Sequence, residues 1–270
     1  MKITFLGGGN MASALIGGLI KQGFEAADIQ VVDVFEAARE RLRDSFGVRT
    51  LGALDAKALA CDVLILAVKP QQMREALAPV AGALSQQVVV SIAAGLRLQD
   101  ISRWIGGYRL LVRAMPNTPA LIGQGVTGLF ADASVSGAQR EAISRVMDAV
   151  GTHVWVEHEA LIDAVTALSG SGPAYVFHFI EALQAGGETL GLPADTARSL
   201  AIQTLVGASA LAASSEESPS VLRERVTSKG GTTEAALKSM AADGFPALMA
   251  KALAAAAARG EELGDLLGKD

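Results

Sequence analysis

The chain has 270 residues, half of them hydrophobic, and a formal net charge of −5 with no long run of one sign. That length suits one large domain or two ordinary ones, and the charge argues against a nucleic-acid surface. The single cysteine, Cys61, excludes an intrachain disulfide and fits a reducing compartment, so a cytoplasmic location is expected.

Met1 to Leu6 hold one lysine and a short neutral run before glycines, too short for a signal-peptide core. Next, β-type apolar runs alternate with helical patterns: "ITFL" (3–6), "IQVVD" (29–33), "DVLILAV" (62–68), "QVVVSIA" (87–93), "RLLVRA" (109–114), "GVTGLFA" (125–131) and "HVWVE" (153–157). Several are continuous, as strands covered on both faces should be. Helical patterns fall at 12–22, 35–45, 71–84 and 136–150. This β-α-β rhythm predicts a Rossmann-like, doubly wound, mostly parallel sheet over residues 1–158. From about residue 160 alanine and leucine dominate, with breaks at 191–193, 214–219, 229–231 and 244–246. Residues 159–270 are therefore expected to form an all-α domain of five or six helices. The uncharged stretch 199–215 contains Gln203, Thr204 and serines. It falls short of the ~20 apolar residues of a membrane span, so no membrane partner is expected. The alanine-rich segment 253–260 suits either a subunit contact or an internal packing face.

"LGGGNMA" (6–12) follows the first strand directly and opens an amphipathic helix. Gly7 permits the tight turn, Gly9 lets backbone approach a pyrophosphate, and Ala12 lets helix and strand pack closely. Gly7, Gly8, Gly9, Asn10 and Met11 are thus candidate cofactor ligands for NADPH or NADH. Asp33 ends the second strand, where a carboxylate accepts from ribose hydroxyls and repels a 2′-phosphate. It also suits a helix-capping role before "FEAARERL". Arg39 and Arg41 are near enough in sequence to serve a 2′-phosphate instead, so the choice between NADH and NADPH stays open.

Three further motifs end strands, where a doubly wound sheet binds its ligands. "AVKPQ" (67–71) offers Ala67, Val68, Lys69 and Pro70. "SIAAG" (91–95) offers the small residues Ala93 and Ala94, over which a nicotinamide can approach. "RAMPNTP" (113–119) is a rigid, proline-bounded turn carrying Asn117. Late in the chain, "TSKGGTT" (227–233) reads as a second glycine-rich turn opening a helix, again suited to an anion. A simple helix cap by Thr232 or Thr233 is the plainer reading of the same residues.

Taken together, "GGGNMA", "AVKPQ", "SIAAG", "RAMPNTPA", "ALSGSGPAY" (167–175) and "TSKGGTT" resemble the pyrroline-5-carboxylate reductases across nearly the whole chain. The resemblance implies a nucleotide domain followed by a helical dimerisation domain, dimers, and a larger ring of dimers. It also implies a five-membered cyclic imine carrying a carboxylate as substrate, reduced to L-proline in the last step of proline biosynthesis. Ser228, Gly230, Gly231 and Thr232 would hold the carboxylate. Thr233 would bond the ring nitrogen as the catalytic group, a role its hydroxyl permits by donating or accepting. Ser171 would line the pocket, while Glu159 and Glu216 match acidic residues near the substrate. The family usually has proline where this chain has Lys229. His153, His158 and His178 match no family motif, and no metal is expected. An iminium accepts hydride without a simultaneous proton donor, so proximity and electrostatics suffice.

Two other readings compete. A β-hydroxyacid-type dehydrogenase needs an acid/base lysine early in the helical domain, but no lysine occurs between Lys69 and Lys229. A non-catalytic nucleotide-binding regulator stays open, against the intact "GGGNMA" and "GGTT".

Overall fold

A computed structural model describes residues 1–269. Eight strands form one sheet: β1 (Ile3–Leu6), β2 (Ile29–Val32), β3 (Arg49–Leu51), β4 (Val63–Leu66), β5 (Val88–Ser91), β6 (Leu111–Met115), β7 (Gly125–Ala131) and β8 (Gly151–Trp155). Their spatial order is β3-β2-β1-β4-β5-β6-β7-β8. Neighbours run parallel except β6 with β7. The order reverses beside β1, which pairs with β2 on one side and β4 on the other. That reversal makes a crevice at the strands' carboxyl ends, the usual ligand position.

Helices α1 (Asn10–Lys21), α2 (Glu36–Phe46), α3 (Met73–Leu77), α4 (Leu98–Trp104), α5 (Gly137–Asp148) and α6 (Leu161–Val165) accompany the sheet, followed by a π-helical turn, Thr166–Gly170. All four residues of β1, β2, β4 and β5 are buried. Their apolar side chains alternate between two layers, one containing Phe5, Leu15, Ile65 and Ile143, the other Leu6, Leu66, Met73 and Ile101. This double burial explains the continuous apolar runs. β3 lies at the sheet edge and begins with an exposed arginine. A three-residue polar edge strand has no apolar run to announce it, and the seven-residue α4 is equally quiet in sequence.

By compactness the chain divides into Met1–Ser171 with the stretch from Ala255 onward, and Gly172–Ala254. The change of pattern near residue 158 marks the end of the sheet. The first unit runs on to Ser171 because α6 packs on β6 and β7. Within this unit the end of α11 (Phe245–Leu267) is an internal packing face: a Cβ on Gly264 would lie 2.8 Å from the Gly95 carbonyl, and Arg97 pairs with Asp265 at 2.7 Å.

The second unit holds α7 (Gly172–Thr189), α8 (Ala194–Ser214), α9 (Pro219–Arg225), α10 (Thr232–Ala242) and the start of α11. Each break expected from sequence falls at a junction of two of these helices, 214–219 and 244–246 overlapping their ends. α7 and α8 pack together, with Gly187 giving room to Ala197. Yet Ala197 and Ala201 are the only buried hydrophobic residues recorded in this unit among the described residues, while Phe177, Leu200, Val206 and Leu211 are each more than half exposed. No helix among the described residues is long and apolar enough to cross a membrane.

Candidate active site

The first loop leaves β1 at Gly7, whose φ of +102° suits glycine alone. Its N–H donates to the Val32 carbonyl at 2.8 Å, and an added Cβ would lie 2.7 Å from the Ala67 carbonyl. Gly9 differs. It is the extended N-cap of α1, no side chain caps it, and nothing lies within 4 Å of a Cβ built there. A helix amino terminus opening onto free space beside a glycine is a cradle for a pyrophosphate, and the residues present fit a dinucleotide. Asn10 and Met11 form its first turn, and Ala12 is fully buried beneath.

Asp33 braces the first loop rather than capping α2, whose N-cap is Phe35 with no side-chain cap. Its Oδ2 accepts from the Gly8 N–H at 2.8 Å, and its Oδ1 from the Phe35 N–H at 2.9 Å. The carboxylate therefore holds the first loop in place, with lone pairs left for a further donor. Arg39 is turned inward, donating to the carbonyls of Asp33 (2.7 Å) and Val34 (3.1 Å) and pairing with Glu36. Arg41 lies across the loop, donating to the Gly8 carbonyl at 2.6 Å and to Ser13 Oγ at 2.9 Å. Both arginines, candidates for a 2′-phosphate, thus hold backbone carbonyls around the first loop.

The other three motifs lie at the carboxyl ends of β4, β5 and β6 in the first unit. Ala67 continues the ladder, its N–H reaching the Leu6 carbonyl at 2.8 Å, and Val68 is half-buried. Exposed Lys69 precedes a short turn opened by Pro70. Beyond β5, Ala93 is buried and Ala94 half-buried. Gly95 is small for another reason, because a Cβ there would press on Leu263 at 3.2 Å. Asn117 is buried with both ends of its amide engaged: Oδ1 accepts from the Val126 N–H at 2.9 Å, and Nδ2 donates to the Ser169 carbonyl at 3.1 Å.

Glu159 has partners within the first unit. Its Oε1 accepts from the Leu98 N–H, at the start of α4, at 2.7 Å and sits 3.5 Å from Arg113 Nη1. Arg113, 2% exposed, also reaches Asp163 at 2.7 Å. A buried guanidinium needs such partners, so Glu159 has a structural role through its Oε1. Ser171 ends the π turn, its N–H donating to the Thr166 carbonyl at 2.8 Å.

The second loop belongs to the other unit. Gly230 has φ +73°, and its N–H turns back to Glu234 Oε2 at 2.6 Å, while the Gly231 N–H donates to the Ser228 carbonyl at 3.0 Å. These two N–H groups, expected to meet a ligand, are thus used inside the loop. The Gly230 N–H and then Lys238, 3.1 Å away, hold the Glu234 carboxyl below its ordinary range. Gly231 is the N-cap of α10 and no side chain caps it. Thr232 and Thr233 are exposed, and among the described residues neither hydroxyl has a hydrogen-bond partner. The helix-cap alternative is therefore not what these hydroxyls do. The N–H groups of the first α10 turn remain as its anion-facing donors. Exposed Lys229 and exposed Glu216 flank this region in sequence.

His153 pairs with Asp148 at 2.6 Å and His178 with Glu181 at 3.2 Å, away from both loops in sequence. No group of three metal-ligating side chains among the described residues could hold a metal ion.

A doubly wound sheet with this first loop, followed by a helical region, defines the class of nicotinamide-dependent oxidoreductases. Residues 2–95 match the family model described as NADP oxidoreductase, coenzyme F420-dependent, and residues 159–263 match that of pyrroline-5-carboxylate reductase dimerisation. The chain is 48% identical to pyrroline-5-carboxylate reductase of Pseudomonas aeruginosa, covering 99% of this chain and 98% of the relative. Among solved structures it is similar to a pyrroline-5-carboxylate reductase from Coxiella burnetii, with TM-score 0.92 and 42% identity, covering 97% and 98% of the two chains. A Plasmodium falciparum enzyme solved with NADP bound gives TM-score 0.85 and 25% identity, covering 98% of each chain. The chain belongs to the pyrroline-5-carboxylate reductase family.

Proposed function

We infer that this protein reduces 1-pyrroline-5-carboxylate to L-proline with NADPH or NADH, the last step of proline biosynthesis. The observation that carries this reading is the amino terminus of α10, capped by a glycine and followed by two threonine hydroxyls without partners. It offers a small carboxylate backbone donors at the positive end of a helix, and a ring nitrogen a hydroxyl beside it.

The dinucleotide supplies the hydride when bound. Gly7, Gly8, Gly9, Asn10 and Met11 hold its pyrophosphate, with Asp33 at the adenosine ribose. Ala67, Val68, Lys69, Pro70, Ala93 and Ala94 follow it along the strand ends, while Asn117, expected among them, has both ends of its amide engaged within the protein. Ser228, Gly230 and Gly231 shape the second loop, whose ligand donors are the Thr232 and Thr233 N–H groups. Thr233 Oγ1 bonds the ring nitrogen and stabilises it as it becomes an amine, while Ser171 lines the imine pocket. Residues 1–158 make the cofactor domain and 159–270 the dimerisation and substrate domain. The protein is a cytoplasmic homodimer, its dimers gathered into a larger ring. The exposed apolar helices support the dimer, and the lone cysteine supports the compartment.

Thr233→Val tests the assignment. It removes one hydrogen bond to a charged or charging group, worth about 1.5–3 kcal/mol, or roughly 10- to 150-fold in kcat/KM. An unchanged kcat/KM contradicts it.

A further inference from the structure

Arg113, Met115 and Asn117 alternate along β6 and its extended continuation, so their side chains share one face. All three engage the segment that follows the sheet. Arg113 pairs with Glu159 and Asp163. Met115 lies against Gly170, where an added Cβ would meet its Cε at 2.5 Å. Asn117 donates to the Ser169 carbonyl at 3.1 Å.

The last contact answers a need created by the sequence. In an α-helix the Ser169 carbonyl would accept from the residue four further on, but that residue is Pro173, which has no N–H. The backbone here is a π turn, closed by the Ser171 N–H on the Thr166 carbonyl at 2.8 Å. Such turns are rare and concentrate at functional positions. Asn117 is 8% exposed, so its amide replaces the missing donor in a place where an unpaired carbonyl is costly. Its other end accepts the Val126 N–H, which prevents the amide from turning away. β6 points its carboxyl end toward the crevice where a doubly wound sheet binds ligands, so this pin lies at the working edge of the cofactor unit.

We propose that Asn117 is a positioning residue for the imine: it holds the π turn, and with it Ser171, at the carboxyl end of β6. The proposal rests on the reductase reading above. The side chain does its work through the Ser169 carbonyl, and the dinucleotide gains nothing directly from it.

Asn117→Asp is the informative variant. An ionised carboxylate faces the Ser169 carbonyl with an acceptor; a protonated one donates to it while still accepting from Val126. Relative to wild type, kcat/KM for pyrroline-5-carboxylate falls at least tenfold at neutral pH and recovers as pH falls and the introduced carboxyl protonates. Cofactor Kd, read by NADPH fluorescence, changes less than threefold. Asn117→Ala loses the same activity without the pH-dependent recovery. Adding Pro173→Ala, which returns an N–H four residues after Ser169, restores a large part of it. Amide exchange at the Ser171 N–H quickens in Asn117→Ala. Unchanged kcat/KM, a parallel loss of cofactor affinity, an Asn117→Asp pH profile parallel to wild type, or unchanged Ser171 exchange each overturns the proposal. Should the wild type reduce no pyrroline-5-carboxylate, the reductase reading fails, while Ser171 exchange still decides whether Asn117 pins the turn.

Discussion

In the sheet-bearing unit β1, β2, β4 and β5 are buried along their whole length and two apolar layers close around them. In Gly172–Ala254 the recorded buried hydrophobics are two alanines, and Phe177, Leu200, Val206 and Leu211 face outward. Fully burying one such large side chain stabilises by roughly 1.5–3 kcal/mol, so the first unit gathers this term from its own residues and the second leaves most of it unclaimed. The difference teaches that the two halves fold by different rules. One supplies its own core; the other is built to be covered, as its match to a dimerisation model accords.

The most forceful way to break this contrast is a charge on the helical face. Val206→Glu should convert dimer to monomer in analytical ultracentrifugation and lower Tm, since an unpaired buried charge costs about 3–5 kcal/mol. A dimer of unchanged affinity would show that this face is not the covered one. The apolar layers of the sheet unit are closed already, and there the test is steric. Gly7→Ala forces a side chain into φ +102° and onto the Ala67 carbonyl, costing at least the ~1–3 kcal/mol of a strained backbone. Gly9→Ala meets free space, so Tm stays while cofactor Kd rises about tenfold or more, equivalent to ~1.4 kcal/mol. Equal melting losses at the two glycines would erase the distinction between a glycine for the turn and a glycine for the ligand.

Smaller effects sharpen the picture. Asp33→Ser removes the carboxylate that accepts from Gly8 and Phe35. It should raise kcat/KM for NADPH relative to NADH while weakening both cofactors, because the loop loses its brace. A constant cofactor ratio removes Asp33 from the specificity argument. Tyr108, donating to the Gln87 carbonyl at 2.7 Å, has its phenol pushed up to about 12 by burial and then by Cys61. An unfolded tyrosine ionises near ~10. The folded unit thus keeps the proton longer, and this stabilisation, full below ~pH 10, is lost as pH rises through about 12. Melting curves over that interval should fall more steeply for wild type than for Tyr108→Phe; identical slopes contradict this.

Periodicity made the sheet and the helical breaks legible, since doubly covered strands demand continuous apolar runs and helix ends demand Gly and Pro. β3 was hidden because a three-residue edge strand carries no such pattern, and α4 because seven residues are too short to display a helical period. The first loop was legible because glycine at a positive φ is a requirement of the backbone. The partners of charged side chains were not legible. Arg113 lies far in sequence from Glu159 and Asp163 and meets them only through the packing of α6 on β6. The π turn left one trace, Pro173 four residues after Ser169, but its meaning depends on Asn117 arriving from another strand. In the second loop the glycines were visible, whereas the return of the Gly230 N–H to Glu234 depends on a loop conformation that spacing does not reveal.

The measurement that tests the account most directly is a steady-state assay of the purified chain with pyrroline-5-carboxylate and each of NADH and NADPH, proline being quantified. The account predicts imine-dependent oxidation of at least one cofactor with one proline formed per cofactor consumed. Cofactor binding without imine-dependent oxidation of either would contradict it and leave a nucleotide-binding regulator in its place.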